Sequence, residues 1–431
     1  MQTRPDTTGA AATDSTVLMS ITDLEIHFQL RGSSFSRLLG LDTGTVKAVD
    51  GVSLDLHEGE VVGVVGESGS GKTTLGRALL GLVKATEGEI QYAGQNLVGM
   101  SDRALRGLRR DLQMVFQDPN AALNPSMTIE VAIGDPLRIH GLTKSKAELR
   151  QRVSAALERV GLSPVERFLG KYPSDLSGGQ KQRAVIARAI ILDPVLLVAD
   201  EPISMLDMSV RAKILQLMLD LQRDLNLTYV YITHDLASAK FFCNRIAIMY
   251  LGRIVEIGPT EEIFADPKHP YTKALLKAIP EPDPSRSLPR DLPRGEIPDA
   301  ASPPLGCSFH PRCPAAFEPC GWENRDLKAL LEARWVSLEE VDYEREHTLI
   351  ENLKVLDEPG DRAVLKPGND HSRADIIALL DRMRAADTAE PLWRGVDSIS
   401  ETADGVEVRF HPGEDPALRR AEGVEVACLL Y

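Results

Sequence analysis

A glycine-rich run, Gly66–Thr73, has residue types and spacing suited to binding phosphate. It reads Gly-Glu-Ser-Gly-Ser-Gly-Lys-Thr and directly follows the apolar run Val61–Val65. Glycines let backbone N–H groups close around phosphate oxygens, and a helix that begins here adds positive potential. In a loop of this pattern Lys72 reaches the β and γ phosphates of a nucleotide, and the Thr73 hydroxyl binds Mg²⁺. The residues expected at the nucleotide are Gly66, Glu67, Ser68, Gly69, Ser70, Gly71, Lys72, Thr73 and Thr74.

An acidic pair, Asp200-Glu201, follows a second apolar run, Leu196–Ala199. If that run is a strand of a parallel sheet, it delivers Asp200 to the edge of the sheet where ligands bind. Asp200 is then placed to hold Mg²⁺, and Glu201 to polarise the attacking water as a general base. Such a pair alone is usually part of a solvated loop. Together with the phosphate loop it predicts hydrolysis of a nucleoside triphosphate.

The elements that carry these residues can be outlined from hydrophobic periodicity. Strand-like runs occur at residues 17–30, 46–56, 61–65, 195–199, 228–232 and 245–250. Helical patterns occur at residues 72–83, 148–160, 180–191, 209–224 and 236–242, and residues 120–175 read as mostly helical. This order predicts a doubly wound α/β core with a parallel sheet and a helical insertion.

A third run, Leu176-Ser177-Gly178-Gly179-Gln180, places a serine and two glycines ahead of a helix, which is a further anion-binding arrangement. Lying between the phosphate loop and the acidic pair, the run resembles the signature sequence of the ABC ATPase family. Three more family motifs are present in the family's order. Gln117 in VFQDP is similar to the Q-loop glutamine, Asp207 to the D-loop aspartate, and His234 in YITHD to the switch histidine.

The resemblance covers about residues 17–280 and implies a P-loop NTPase core with an antiparallel β subdomain and a helical subdomain. It implies that Gln117 and His234 act with Glu201 in catalysis, and that Gln117 joins Thr73 and Asp200 at Mg²⁺. ATP would lie between the phosphate loop of one subunit and the signature of a second, with Phe28 stacked on adenine. The further residues implied at the nucleotide are Ser177, Gly178, Gly179, Gln180 and Asp207.

Longer runs refine the resemblance: VFQDPNAALNPSMTI and MYLGRIVEIGPTEEIFADPKHPYTKALLKAIP are similar to the ATPases of oligopeptide/dipeptide importers, a subfamily that also contains nickel importers. TTLGRALLGL favours the second of the two paired ATPase subunits. The implied partners are a second ABC ATPase subunit, two membrane permease subunits and, indirectly, an extracytoplasmic solute-binding protein. The alternative is a soluble ABC ATPase that acts on nucleic acid or another macromolecule.

The composition of the chain helps to choose between an importer ATPase and a soluble ATPase that acts on nucleic acid. Hydrophobic residues make up 43% of the chain and charged residues 26%, as in folded soluble proteins, and the net charge is -14. No basic stripe suited to nucleic acid is evident. The most apolar stretch, Ala184–Ala199, contains charged residues and a proline, so it does not supply the roughly 20 apolar residues of a membrane span. The N-terminus lacks a signal-peptide pattern. We therefore expect a peripheral protein at the cytoplasmic face of the membrane.

The predicted organisation is a tail over residues 1–16, an ATPase domain over 17–280, a linker over 281–304 and a C-terminal α+β domain over 305–431. Eight prolines between Pro280 and Pro304 mark the linker. The last domain holds 15 basic and 26 acidic residues. Its segment Gly321–Ala427 is an acidic insertion relative to the resembled family, and nothing in its sequence assigns it a task.

Four cysteines of that last domain form a candidate metal site: Cys307, Cys313 and Cys320 in GCSFHPRCPAAFEPC, and Cys428 near the end. Four thiolates can hold tetrahedral Zn²⁺ or an iron–sulfur cluster, and spacing alone does not choose. The resemblance to peptide-importer ATPases implies a [4Fe-4S] cluster, with Zn²⁺ or no metal as alternatives. Cys243 is interpreted as a buried structural thiol.

Overall fold

The computed structural model describes residues 16–30, 44–279 and 293–431, and these divide into two compact units. Among them, the first unit holds residues 16–28, 47–253 and 258–261, and the second holds 29–30, 44–46, 254–257, 262–279 and 293–431. Of the expected tail 1–16 and linker 281–304, only Thr16 and residues 293–304 lie among the described residues.

The strands lying wholly or mainly in the first unit are β1 (Val17–Gln29), β2 (Thr45–His57), β3 (Val61–Val65), β4 (Glu87–Tyr92), β5 (Gln95–Asn96), β6 (Leu112–Val115), β7 (Leu196–Asp200), β8 (Thr228–Thr233) and β9 (Arg245–Tyr250). Its helices are α1 (Lys72–Leu79), α2 (Asp102–Leu108), α3 (Pro119–Ala122), α4 (Ile129–Ile139), α5 (Lys146–Arg159), α6 (Glu166–Leu169), α7 (Gly178–Ile190), α8 (Met208–Leu225) and α9 (Leu236–Phe242).

A parallel sheet with the strand order β9-β3-β8-β7-β6 forms the centre of the first unit. Strands β3, β7 and β8 are buried along their whole length. Continuous apolar runs such as VVGVV and LLVAD form strands of this kind because both faces of a parallel sheet are covered. The α/β core expected from the sequence is confirmed.

A second sheet of four strands, in the order β2-β1-β4-β5, lies in the same unit. Strands β1 and β4 run antiparallel, with Ile21 opposite Ile90. Both of these side chains are buried, and in β1 buried residues alternate with more exposed ones over Met19–Ile21. This alternation is typical of a sheet with one covered face.

The helical stretch between β6 and β7 contains α4 and α5, which pack on each other. Gly134 of α4 permits the close approach, because a β-carbon there would lie 3.1 Å from Leu149 Cδ2 and 3.2 Å from Val153 Cγ2 of α5. Residues Leu149 and Val153 are buried and one helical turn apart, so they form the inner stripe of α5.

Helix α1 ends at Leu79, four residues before the predicted end at Val83. Gly81 adopts a φ of +62°. The Gly81 N–H donates to the Ala78 carbonyl and the Leu82 N–H to the Arg77 carbonyl, both at 2.9 Å. These two bonds form a Schellman cap, which glycine completes without strain.

Strand β10 (Arg253–Pro259) and helix α10 (Thr260–Ala265) contain residues of both units. The remaining elements belong to the second unit: α11 (Pro270–Lys277), α12 (Asn324–Val336), α13 (Glu340–His347), β11 (Arg362–Leu365), α14 (Arg373–Ala386), α15 (Leu392–Gly395), β12 (Val396–Glu401), β13 (Val406–Phe410), β14 (Arg419–Ala421) and β15 (Val424–Val426).

The segment after Cys320 folds around an antiparallel sheet with the order β11-β13-β12. A helical pattern at residues 373–384 of the sequence predicts α14, but no such pattern predicts α12. The buried face of α12 consists mainly of Leu327, Leu331 and Trp335, one residue per turn, so its apolar stripe is narrower than that of most core helices. In the described ranges 16–30, 44–279 and 293–431, no helix has both the length and the apolar character needed to cross a bilayer.

Candidate functional site

The phosphate loop joins β3 to α1 and is closely packed against neighbouring backbone. A β-carbon on Gly66 would lie 2.2 Å from the Met249 carbonyl oxygen, and one on Gly71 would lie 2.0 Å from the Ala48 carbonyl oxygen. Gly71 also has a φ of +99°. Glycine is therefore required at both positions by space, and at Gly71 also by backbone conformation.

Lys72 is buried at the start of α1 and curls back into the loop. Its Nζ donates to the carbonyl oxygens of Gly66 at 2.9 Å and Glu67 at 2.7 Å. Burial lowers the pKa of Lys72, while the nearby carboxylates of Glu201 and Asp200 act to raise it. The loop thus holds a desolvated ammonium group inside its curve, which is suited to binding an anion.

The next residue, Thr73, donates a hydrogen bond from its hydroxyl to Asp200 Oδ1 at 2.9 Å. Asp200 ends β7 and is 2% exposed. Burial raises the pKa of Asp200, and the Thr73 hydrogen bond and the charge of Arg77 oppose that rise. A hydroxyl and a carboxylate oxygen this close together are a suitable pair of ligands for Mg²⁺.

Glu201 follows Asp200 and is contacted by two residues from adjacent strand ends. Gln117, two residues after β6, donates from Nε2 to Glu201 Oε2 at 2.9 Å. His234, directly after β8, places Nδ1 3.0 Å from Glu201 Oε1. Because β6, β7 and β8 are parallel neighbours, their carboxyl ends bring these three residues together.

The signature run caps α7. Ser177 Oγ accepts the Gln180 N–H at 3.4 Å, and Gln180 Oε1 accepts the Ser177 N–H at 3.0 Å, so the two residues form a capping box. Among the described residues, Ser177 and Gln180 bond to each other rather than to the phosphate loop. A β-carbon on Gly179 would lie 2.7 Å from Val210 Cγ1 of α8, which explains the small residue there.

Two other predicted site residues lie at the ends of elements. Asp207 precedes α8 as its N-cap residue. The turn before it is held by Arg211, which donates to the carbonyl oxygens of Leu206 at 2.7 Å and Ser204 at 3.2 Å. Phe28, near the end of β1, is 45% exposed and so is available for stacking.

Four cysteines of the second unit lie near enough to one another for their charges to interact: Cys307, Cys313, Cys320 and Cys428. Burial raises the pKa of Cys307 to about 12, and charges on the other three would raise it further. Each of the four sulfurs accepts at least one hydrogen bond from a backbone N–H group. The donors are Phe309 for Cys307, Ala315 and Ala316 for Cys313, Phe317 for Cys320, and Leu430 for Cys428.

A group that the sequence does not reveal consists of Glu25, His27 and Asp50, because β1 and β2 meet only in the folded sheet. It is the one set of three potential metal ligands within 4.8 Å of one another in the described part of the chain. Arg253 Nε lies 2.8 Å and Lys47 Nζ 3.4 Å from Asp50. Although burial acts to raise it, these cations lower the pKa of Asp50. The group is thus already neutralised by side chains.

Residues 49–204 match the family described as ABC transporter, and residues 255–320 match the oligopeptide/dipeptide transporter C-terminal region. The chain is 46% identical over 306 residues to the oligopeptide transport ATP-binding protein OppF of Escherichia coli, an alignment covering 70% of this chain and 90% of that protein. It is 42% identical over 330 residues to the oligopeptide transport ATP-binding protein AppF of Bacillus subtilis, covering 76% and 98% respectively. A dimeric post-hydrolysis structure of the ATP-binding cassette MJ0796 with ADP and Pi is 32% identical, with a TM-score of 0.50 over 56% of this chain and 98% of that one.

Proposed function

The chain belongs to the ATP-hydrolysing subunits of ABC transporters, and from that premise we propose that it powers the import of oligopeptides. Hydrolysis rests on one observation above all, the contact of Glu201 with Gln117 and His234 beside the Thr73–Asp200 pair. Import of peptides is supported by the relatives OppF and AppF and by the match of residues 255–320.

Each residue of the site has a distinct role in this proposal. Lys72 and the loop amides bind the β and γ phosphates. A magnesium ion held by Thr73 and Asp200, and reached by Gln117, would offset phosphate charge. Glu201 accepts a proton from the attacking water, and His234 orients Glu201 and contacts the γ phosphate. Phe28 offers its exposed ring to adenine.

In this proposal the signature Ser177–Gln180 contacts the nucleotide that is bound by the phosphate loop of a second subunit. One nucleotide cannot use both the phosphate loop and the signature of the same chain when the two are separate anion sites. A head-to-tail pair with another ABC ATPase subunit would place this signature and Asp207 over the partner's nucleotide. The dimeric MJ0796 cassette supports such a pairing.

The remaining partners are two membrane permease subunits and, through them, an extracytoplasmic solute-binding protein. We place the chain at the cytoplasmic face of the membrane as a peripheral subunit. A nickel-type solute is the alternative within this family. Nothing in the site or the comparisons favours the nucleic-acid alternative.

We further propose that Cys307, Cys313, Cys320 and Cys428 ligate a [4Fe-4S] cluster. The amide donors to all four sulfurs favour thiolates, which burial alone would leave protonated. In the described residues no three cysteine sulfurs lie within 4.8 Å of one another. Zn²⁺ bonds of about 2.3 Å would draw them closer than that, whereas a cluster places iron and sulfide between them.

Uptake of labelled oligopeptides tests the transport proposal. Cells in which the native gene is replaced by the Lys72→Ala form should lose uptake of tri- and tetrapeptides and keep uptake of free amino acids. A matched Lys240→Ala strain changes an exposed lysine of α9 and should transport normally. Loss of nickel uptake with normal peptide uptake would contradict the peptide assignment and retain the ATPase.

A further inference from the structure

The segment after Cys320 is joined to the cysteine site by its first helical turn. The family match ends at Cys320, and Trp322, Glu323 and Asp326 follow within six residues. These three residues, which we call the clasp, are buried or nearly so and contact the peptide that carries Cys307. They belong to the part of the chain for which the family comparison gives no role.

Asp326 reaches the site through His310. The His310 side chain is fully buried, with Nε2 2.8 Å from Asp326 Oδ2 and Nδ1 2.9 Å from the carbonyl oxygen of Cys307. The imidazole therefore bridges the backbone of a cysteine and a carboxylate of α12. The same Asp326 oxygen accepts the Glu323 N–H at 3.0 Å, which fixes the carboxylate in the first turn of the helix.

Glu323 and Trp322 form hydrogen bonds with the chain before and after Cys307. Glu323 Oε1 accepts the N–H of Leu305, two residues before Cys307, at 3.4 Å. Trp322 Nε1 donates to the Phe317 carbonyl at 2.9 Å, and its ring lies edge-on to His310 with centroids 5.0 Å apart. The chain is therefore fixed both before and after Cys307.

The rest of the segment supports the clasp. A β-carbon on Gly395, at the end of α15, would lie 2.0 Å from Trp322 Cδ1, so this helix packs directly on the indole. The Glu414 N–H donates to the Pro319 carbonyl at 2.8 Å, next to Cys320. A residue 94 positions after Cys320 thus contacts the cysteine peptide.

We propose that the clasp holds the cysteine site closed: Asp326, through His310, and Glu323, through the Leu305 amide, keep the Cys307 thiol packed against the other three. This inference rests on the proposal that the four cysteines form one metal site and extends it to the residues that hold the site closed. His310, Glu323 and Asp326 are positioning residues, since they act on Cys307 through the backbone of Cys307 and Leu305.

The acidic N-terminal turn of α14 supplies a matched control. Asp375 is the third residue of its helix, as Asp326 is of α12, and its Oδ2 accepts the Ser372 N–H at 2.7 Å in the same kind of capping box. Both carboxylates lie in the same segment, but Asp375 belongs to a capping box remote in sequence from the cysteines. Asp375→Ala therefore reproduces the loss of a cap without removing the contact to His310.

The test measures alkylation of each cysteine by iodoacetamide in the full-length chain after metal has been stripped with a chelator. Asp326→Ala should speed labelling of Cys307 about tenfold or more, because a charge-assisted hydrogen bond is lost. Asp326→Asn, whose amide oxygen still accepts a hydrogen bond from His310 but carries no charge, should restore part of the protection. Asp375→Ala should label as the unsubstituted chain does, and Cys243 should stay constant throughout.

Equal labelling of Cys307 in Asp326→Ala and the unsubstituted chain would overturn the clasp, as would equal acceleration by Asp375→Ala. A second readout is the rate at which anaerobically purified protein loses iron to a chelator, which Asp326→Ala should raise by a similar factor. Protein without iron would refute the cluster, and the labelling result would still decide the clasp.

Discussion

Glu201 and His234 are in direct contact, with 3.0 Å between Glu201 Oε1 and His234 Nδ1, although they lie 33 positions apart in the sequence. The other carboxylate oxygen of Glu201 accepts the Gln117 amide. Both oxygens of the proposed base are thus held by residues that follow neighbouring parallel strands. These two contacts fix the orientation of the Glu201 carboxylate.

Glu201→Gln should bind ATP and hydrolyse it about a hundredfold more slowly or worse, because it removes the general base and leaves the phosphate contacts intact. The variant should accumulate as an ATP-bound dimer in size-exclusion chromatography. Lys72→Ala should instead weaken nucleotide binding as well as turnover. Near-normal turnover by Glu201→Gln would refute the assignment of Glu201.

Gln117 and the helical residues 120–175 should form the surface that faces the permease. Ile139, at the end of α4, and Tyr172 are exposed apolar residues of this region. Ile139→Cys and Tyr172→Cys should cross-link to a permease subunit in membranes, whereas Phe241→Cys, exposed on α9, should not. Links from Phe241→Cys alone would move the permease contact elsewhere.

Anaerobically purified protein should contain about four iron and four sulfide ions per chain and absorb visible light as an iron–sulfur protein does. Cys307→Ser, Cys313→Ser and Cys320→Ser should each lower the iron content. A colourless protein with one zinc would replace the cluster by a four-thiolate zinc site. Full metal content in Cys428→Ser would remove Cys428 from the ligand set.

The stability of the second unit should fall on acidification because of His269. Burial lowers the pKa of His269 to about 3, and Lys273 adds to the shift. Below its unfolded pKa of about 6.5 the unfolded chain binds a proton that the folded chain excludes, so the free energy of unfolding decreases as pH falls toward 3. At pH 5 the loss is about 2 kcal/mol relative to pH 7.

His269→Asn isolates this effect. His269 Nδ1 accepts the Tyr271 N–H at 3.0 Å at the start of α11, and asparagine can supply the same cap without titrating in this range. Urea unfolding followed by tryptophan fluorescence reports on the second unit, which holds all three tryptophans, Trp322, Trp335 and Trp393. The variant should show a flatter pH dependence than the unsubstituted chain; parallel curves would contradict the prediction.

The nucleotide site could be predicted from the sequence because its motifs are local. The strand, glycine-rich turn and helix that carry Lys72 and Thr73 follow one another in the chain, so their pattern is visible in the sequence alone. The apolar runs that form β7 and β8 are continuous, so the α/β core was also evident. The end of α1 was not predicted correctly, because a helical pattern does not show that Gly81 will close a Schellman cap.

Contacts between distant parts of the chain could not be read from the sequence. The order of β6, β7 and β8 in the sheet brings Gln117, Glu201 and His234 together, and strand order depends on packing of the whole core. In the second unit, the contact between His310 and Asp326 requires α12, whose narrow apolar stripe gave no clear signal. Short-range patterns fix local backbone conformation, whereas side-chain contacts between distant segments depend on how all the elements pack.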